Sequence, residues 1–320
     1  MVFSKVYTAF RDTPVHTDAA VKLMLTRSFS GFMLDFSRLT LKDAPKLRPL
    51  LTHSHSRLCE YVFGTIILWR DMWPMEFAVY EDTVFLRLEV SDGQCAYMLP
   101  VGGNLEQSLD ILDTYHKGHK LFHYIPQSGL ELLKERYGKV NAKPLDSGGD
   151  YLYYADSMAT LGGRKLHGQR NHMNFFERTW EHRAEIITDA NAQDIKDFVE
   201  RISVSNSSAL FQEGTRKTFE LLENLETYGF SSLALYAGDR VAGFTFGTLL
   251  GDTLYVTIEQ ADRAYRGAYP KLASAFVCSH LEAGVVFVNR EDDIGDEGLR
   301  KSKLAWNPCE IIEKFSVTVE

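Results

Sequence analysis

Residues 231–260 read SSLALYAGDRVAGFTFGTLLGDTLYVTIEQ. Three runs rich in β-branched and aromatic residues are separated by Gly238-Asp239 and Gly251-Asp252, which suit two-residue hairpin turns. The pattern predicts a three-strand antiparallel meander. Ahead of it RAEIIT predicts a short strand, followed by helical periodicities from about residues 191 and 210. Beyond it come a loop, a helix near residues 270–282 and the strand GVVFVNR. A short helix, EGLRKSKLAW, and a last strand, EIIEKFSVTV, close the chain.

The first half repeats this order. FMLDFSRLT predicts a strand, and helical patterns cover residues 41–51 and 56–68, with Pro49 expected to kink or end the first. The meander EFAVY, VFLRLEV, CAYMLPV turns at Glu81-Asp82 and Asp92-Gly93. The loop VGGN leads to a helix over 105–115, stopped by Gly118. The strand KLFHYI, the helix SGLELLKERY and the strand YLYYA follow. Both halves therefore read strand, helix, helix, three strands, helix, strand, helix, strand. A repeated order of this kind marks a duplicated architecture. The expectation is an α+β protein of two similar units, each a mixed, mostly antiparallel sheet flanked by helices. The boundaries are an N-terminal extension over 1–31, a first unit over 32–155, a linking helix over 156–182 and a second unit over 183–320.

Composition is that of a globular protein, with 45% hydrophobic and 24% charged residues among 320. The formal net charge of -8 excludes a general nucleic-acid coat but leaves room for a local basic patch. Four cysteines without CxxC spacing predict reduced thiols and a cytoplasmic protein. The longest apolar run, YVFGTIILW, is closed by Glu60 and Arg70 and is too short to cross a bilayer.

Three motifs remain: YVFGTIILWRD (61–71), GGRKLHGQRNHMNFFERTW (162–180) and NREDDIGDEGLRKSKLAWNP (289–308). The element order resembles the GNAT acyltransferase fold in tandem. The motifs resemble the family related to the C-terminal domain of phosphatidylglycerol lysyltransferases, over roughly residues 33–319. That resemblance implies transfer of an acyl or aminoacyl group from a phosphate-rich donor, acyl-coenzyme A or aminoacyl-tRNA, to an amine or hydroxyl of a small-molecule or peptide acceptor. The alternative is a non-catalytic module of the same fold that holds a ligand or partner. In the fold, the loop and helix after each meander cradle a pyrophosphate through backbone N–H groups. Leu99–Asn104 and Ala261–Pro270 stand at those places, with Arg266 and Gly267 in the second. Arg266 replaces a glycine of the usual acetyltransferase pattern. The fold also implies a base on the last meander strand, here Glu259, with Tyr269 in the loop beyond as its partner in catalysis.

The residues themselves point to further sites. NREDDIGDEGLRKSKLAWNP fails as a calcium loop, with Ile294, Glu297 and Lys303 where an oxygen ligand, a glycine and a glutamate are needed. It reads instead as strand, turn and helix. Asp296 and Glu297 suit the first helical turn, and Arg300, Lys301 and Lys303 the later ones. Arg290, Arg300 and Lys303 are expected to reach an anionic donor, with Glu291, Asp292 and Asp293 orienting them. Arg164, Lys165, Arg170 and Asn171 form a basic stripe suited to phosphate. His116, His119 and His123 do not share a face, because Gly118 breaks the helix between the first two, so no metal site is expected.

Overall fold

The computed structural model describes residues 34–90, 93–204 and 209–320. The expected extension over 1–31, the first two residues of the expected opening strand and Asp92 of one turn lie outside the described residues. The first half runs β1 (Ser37–Arg38), α1 (Ala44–Leu51), α2 (Phe63–Leu68), β2 (Met75–Tyr80), β3 (Thr83–Glu89), β4 (Cys95–Tyr97), α3 (Leu105–Tyr115), β5 (Lys120–Ile125), α4 (Gln127–Tyr137), β6 (Val140–Pro144) and β7 (Asp150–Tyr154). The second runs α5 (Ala155–Thr160), α6 (His167–Thr179), β8 (His182–Glu185), α7 (Ala192–Ser203), α8 (Ala209–Leu222), α9 (Leu225–Tyr228), β9 (Ser231–Ala237), β10 (Arg240–Leu250), β11 (Thr253–Ala261), α10 (Ala268–Cys278), β12 (Phe287–Asn289), α11 (Glu297–Leu304), β13 (Glu310–Ile312) and β14 (Phe315–Val319).

The meanders form as the turn residues dictate. Gly238 and Gly251 take φ +58° and +59° at the first turn position, where a side chain would be strained. The first meander turns on Glu81 at φ +53° instead. Two expectations at the start of the chain are corrected. The opening strand is confined to Ser37–Arg38, because Thr40 and Asp43 close a capping box that begins a 3-10 turn at once. Pro49 lies within α1, which runs on to Leu51.

Among the described residues each sheet has seven strands, in the orders β1-β2-β3-β4-β5-β14-β6 and β13-β7-β12-β11-β10-β9-β8. In both, the strand after the meander pairs parallel to its last strand and the other pairings are antiparallel. The result is the tandem GNAT-like α+β fold. Sheet membership departs from chain order at one point: the units exchange a strand. β7 inserts between β12 and β13, and β14 inserts between β5 and β6. The single strand expected over EIIEKFSVTV is broken at Glu313–Lys314, with one piece in each sheet. β6, unanticipated in the polar stretch VNAKP, is an edge strand and largely exposed.

The core is shared across the units. Leu47, Ile66 and Ile67 from α1 and α2 pack with Phe198, Leu221, Tyr228, Phe244 and Phe246 of the second half. The opposite face of the second sheet packs on α5, α6 and α10 through Met158, Phe176, Leu272 and Phe276. The motif YVFGTIILWRD is thereby explained as seam. Its apolar residues are buried up to Leu68, and Arg70 and Asp71 enter an ion network with α8. Fully buried Lys217 contacts Asp71 at 2.6 Å and Glu220 at 3.1 Å, and Arg70 pairs with Glu220.

Candidate functional site

A β-bulge positions the expected catalytic carboxylate. On β10, Phe246 pairs with Ile258 but Gly247 with Val256, so Thr257 is an extra residue on β11. Leu254 and Val256 face α10, Ile258 faces the shared core, and Ala261 faces α10 again. The bulge thus turns Glu259 to the α10 side. β12 pairs with β11 only over Thr253–Tyr255. Among the described residues the rest of β11 has no strand on that flank, and Glu259 lies beside the resulting opening. Its carboxylate meets Arg290 Nη2 at 2.6 Å, with side chains only 7% and 12% exposed. The Arg290 guanidinium lies 4.9 Å from the Trp306 ring, and its Nη1 is buried without a partner. Tyr269 stands near this pair. Its ring is 37% exposed, yet burial at its hydroxyl end and the Glu259 charge raise its pKa.

The charged block 289–308 folds as strand, turn and helix. Asp296 caps α11 by accepting from Leu299 N at 2.7 Å. Buried Asp293 accepts from Tyr151 Oη at 2.7 Å and from Arg300 at 2.9 and 3.1 Å. Lys303 donates to the carbonyls of Arg290 (2.6 Å), Glu291 and Asp292. Arg290 and Arg300 address the same face of β7, near Tyr153 and Tyr151. Of the expected acids only Asp293 orients one of these bases, Arg300, whose side chain stays 45% exposed. Lys303 is taken up by backbone carbonyls and holds the loop together. Asp292 turns away to the seam between the units.

Sequence reasoning missed that seam. Lys314, at the break between β13 and β14, is fully buried. Its Nζ lies 2.5 Å from Glu60, 2.6 Å from Asp150 and 2.9 Å from Asp292. Asp150 also accepts from Cys59 N at 2.7 Å and Asn289 Nδ2 at 2.8 Å. Cys59, Glu60 and Asp150 have the spacing of a metal-ligand group. The Lys314 ammonium, 3.7 Å from Cys59 Sγ, already stands among them as the cation. Glu291, at φ +56°, accepts from Thr65 Oγ1 at 3.0 Å on the same seam. The available signal was an acid straight after Gly148-Gly149 and a lysine interrupting an alternating strand.

Burial dominates the titration of this seam, with Asp150 and Asp292 adding to it. Glu60 is raised from 4.5 to about 7 and Glu291 to about 8. Both carboxyls hold their protons more tightly folded than unfolded. Their contribution to stability is full below about pH 4.5 and is lost as pH rises through about 7 to 8. Urea unfolding between pH 5 and 8.5 should show stability falling over that window, with a shallower fall in Glu60→Gln. An unchanged pH dependence in that variant would contradict the assignment.

At both expected phosphate cradles the protein's own atoms crowd the glycine where a side chain would stand. Gly267 (φ +93°) caps α10, and a Cβ there would lie 2.0 Å from the His172 carbonyl oxygen of α6. The Ala268 amide already donates to Tyr265 O. In the first unit, Cβ atoms on Gly102 and Gly103 would lie 2.3 Å from Asp82 O and Thr83 Oγ1. Arg266 lies outside, over Phe175 and against His172.

The motif over 162–180 meets the end of the charged block. Arg170 donates to the carbonyls of Leu161 (2.5 Å) and Gly163 (3.1 Å), which fixes the glycine turn and leaves Arg170 a positioning role. Asn171 is exposed and contacts His167. Beside the turn lies a groove of about 460 Å³ lined by residues 153–154, 157–158, 162–166 and 306–309, including Arg164 and Lys165.

A tandem GNAT-like fold with an acid–arginine pair at the bulged strand end defines a scaffold of the acyltransferase class. The family described as phosphatidylglycerol lysyltransferase, C-terminal, matches residues 51–318, and the chain belongs to it. An uncharacterized protein of Mycoplasmoides gallisepticum is 28% identical over 178 residues, 54% of this chain and 57% of that protein. The match thus spans little more than half of that relative. A conserved protein of unknown function from Bacteroides thetaiotaomicron is 28% identical, with a TM-score of 0.79 over 90% of this chain and 100% of that one. L-PGS from Bacillus licheniformis shares the fold at 13% identity, with a TM-score of 0.59 over 86% and 91% of the two chains. Among the described residues, no helix is long and apolar enough to cross a membrane.

Proposed function

We propose that this protein is an aminoacyltransferase that takes its group from aminoacyl-tRNA in the cytoplasm. The observation that carries the choice of donor is the closure of both glycine loops. Acyl-coenzyme A needs a backbone cradle for its pyrophosphate, and at the two that the fold provides His172, Asp82 and Thr83 crowd the glycines. A polynucleotide donor needs exposed cations instead, and Arg164, Lys165, Arg178, Arg263 and Arg266 are exposed on or beside α6. The acceptor is an amine or hydroxyl on a small molecule or peptide. Its nucleophile attacks the ester carbonyl of the donor. Glu259 takes the nucleophile's proton, the ester C–O bond breaks, and the departing ribose oxygen takes a proton from Tyr269. One observation favours the non-catalytic alternative: Arg290 already neutralises Glu259.

Titration with tRNA at several salt concentrations tests the donor. Binding should weaken steeply, with a log–log slope of about 0.7–0.9 per neutralised phosphate, and Arg178→Ala with Arg266→Ala should flatten it. Acyl-coenzyme A should bind weakly and with a shallower slope. Tight acyl-coenzyme A binding with no tRNA binding at low salt would reverse the choice.

A further inference from the structure

We propose that the groove between the Gly162–Leu166 turn and the Trp306–Cys309 segment is a binding site for small phosphate esters. This rests on the groove's own chemistry and needs neither Glu259 nor turnover. The side chains of Arg164 and Lys165 stand at its edge and have no hydrogen-bond or ion-pair partner among the described residues, although the chain carries a formal charge of -8. No carboxylate lines the groove. Arg290, Arg300, Lys303 and Lys314, by contrast, are each held by acids or carbonyls. Two cations left free beside an acid-free concavity define an anion site.

The remaining lining says what kind of anion. Ser157 and Asn307 supply neutral polar groups, and Asn307 is held at φ +54°. Tyr154 is 55% exposed, packs against Phe287 at 5.7 Å and offers an aromatic face beside the cations. Trp306 forms a buried apolar floor. A volume of about 460 Å³ exceeds what bare phosphate needs and suits a ligand with an organic part. The arginine supplies a fork for two phosphate oxygens and the lysine a point charge. Arg170 keeps the turn in shape from behind, so the cations are presented on a fixed backbone.

Isothermal titration with AMP, sn-glycerol 3-phosphate and inorganic phosphate tests this, with adenosine and glycerol as uncharged controls. The two esters should bind the full-length protein, and the controls at least about tenfold more weakly. The double variant Arg164→Ala, Lys165→Ala should lose at least about tenfold in affinity for the esters while its thermal midpoint is unchanged. A parallel arm with phosphatidylcholine vesicles, with and without phosphatidic acid, identifies the source of the ester. Binding to the anionic vesicles alone would assign it to a lipid headgroup. Esters that fail to bind by about 1 mM in both arms would overturn the proposal. So would a double variant that binds as the parent does.

Discussion

Lys314→Met should destabilise the protein by about 3–5 kcal/mol, because it removes one partner from a buried charge cluster. The ammonium is fully buried and lies within 2.9 Å of three carboxylates. Its loss leaves Glu60, Asp150 and Asp292 facing one another in a medium that screens poorly. Asp150 cannot retreat to water, because it is fully buried and also holds Cys59 N and Asn289 Nδ2. The effect should concentrate where the units meet, since Glu60 comes from the first half and Asp292 from the second. Lys314 also occupies the point where the chain leaves one sheet for the other. A second variant separates charge from packing: adding Glu60→Gln and Asp150→Asn to Lys314→Met should recover part of the loss. Urea unfolding at constant m-value is the measurement. A loss below about 1 kcal/mol would mean that the cluster relaxes freely and that Lys314 is no keystone.

The sequence signals that proved legible are local. The second meander is bounded by the residues its glycine turns require, because a two-residue hairpin constrains φ directly. Glu259 and Arg290 were both marked in the sequence, and the structure brings them to 2.6 Å. What stayed hidden depends on long-range pairing. YLYYA alternates as a strand does in either sheet, so nothing in it says that β7 belongs with β12 and β13. EIIEKFSVTV carries an unbroken strand pattern, and only tertiary pairing splits it at Glu313–Lys314. A lysine in such a run is expected at the surface, which concealed the seam. The charged block illustrates a further limit. Its acids and bases were recognised as partners, but a sequence does not tell whether such a pair leaves a free hydrogen-bonding face. Lys303 does not reach out and Arg300 is paired with Asp293, whereas Arg164 and Lys165 do reach out.

Glu259→Gln should lower the rate of aminoacyl transfer by about 10²–10⁴-fold, the range for a positioned general base. Glutamine keeps the shape, and its side-chain oxygen still accepts from Arg290 Nη2, so the bulged end of β11 should hold its geometry. What is lost is the ability to take a proton from the nucleophile. The fall should therefore appear in kcat at saturating donor, with tRNA affinity unchanged, because an interaction made only in the transition state affects kcat and kcat/KM alike. Arg290 sharpens the test. Its guanidinium meets the carboxylate at 2.6 Å. Arg290→Met removes that contact and should lower kcat at saturating donor by more than any loss of stability explains. A purely structural pair would instead show parallel losses of stability in both variants and no change in kcat beyond them. If Glu259→Gln transfers at the parental rate, the proton goes elsewhere and the Glu259–Arg290 pair is only a brace for the opened sheet.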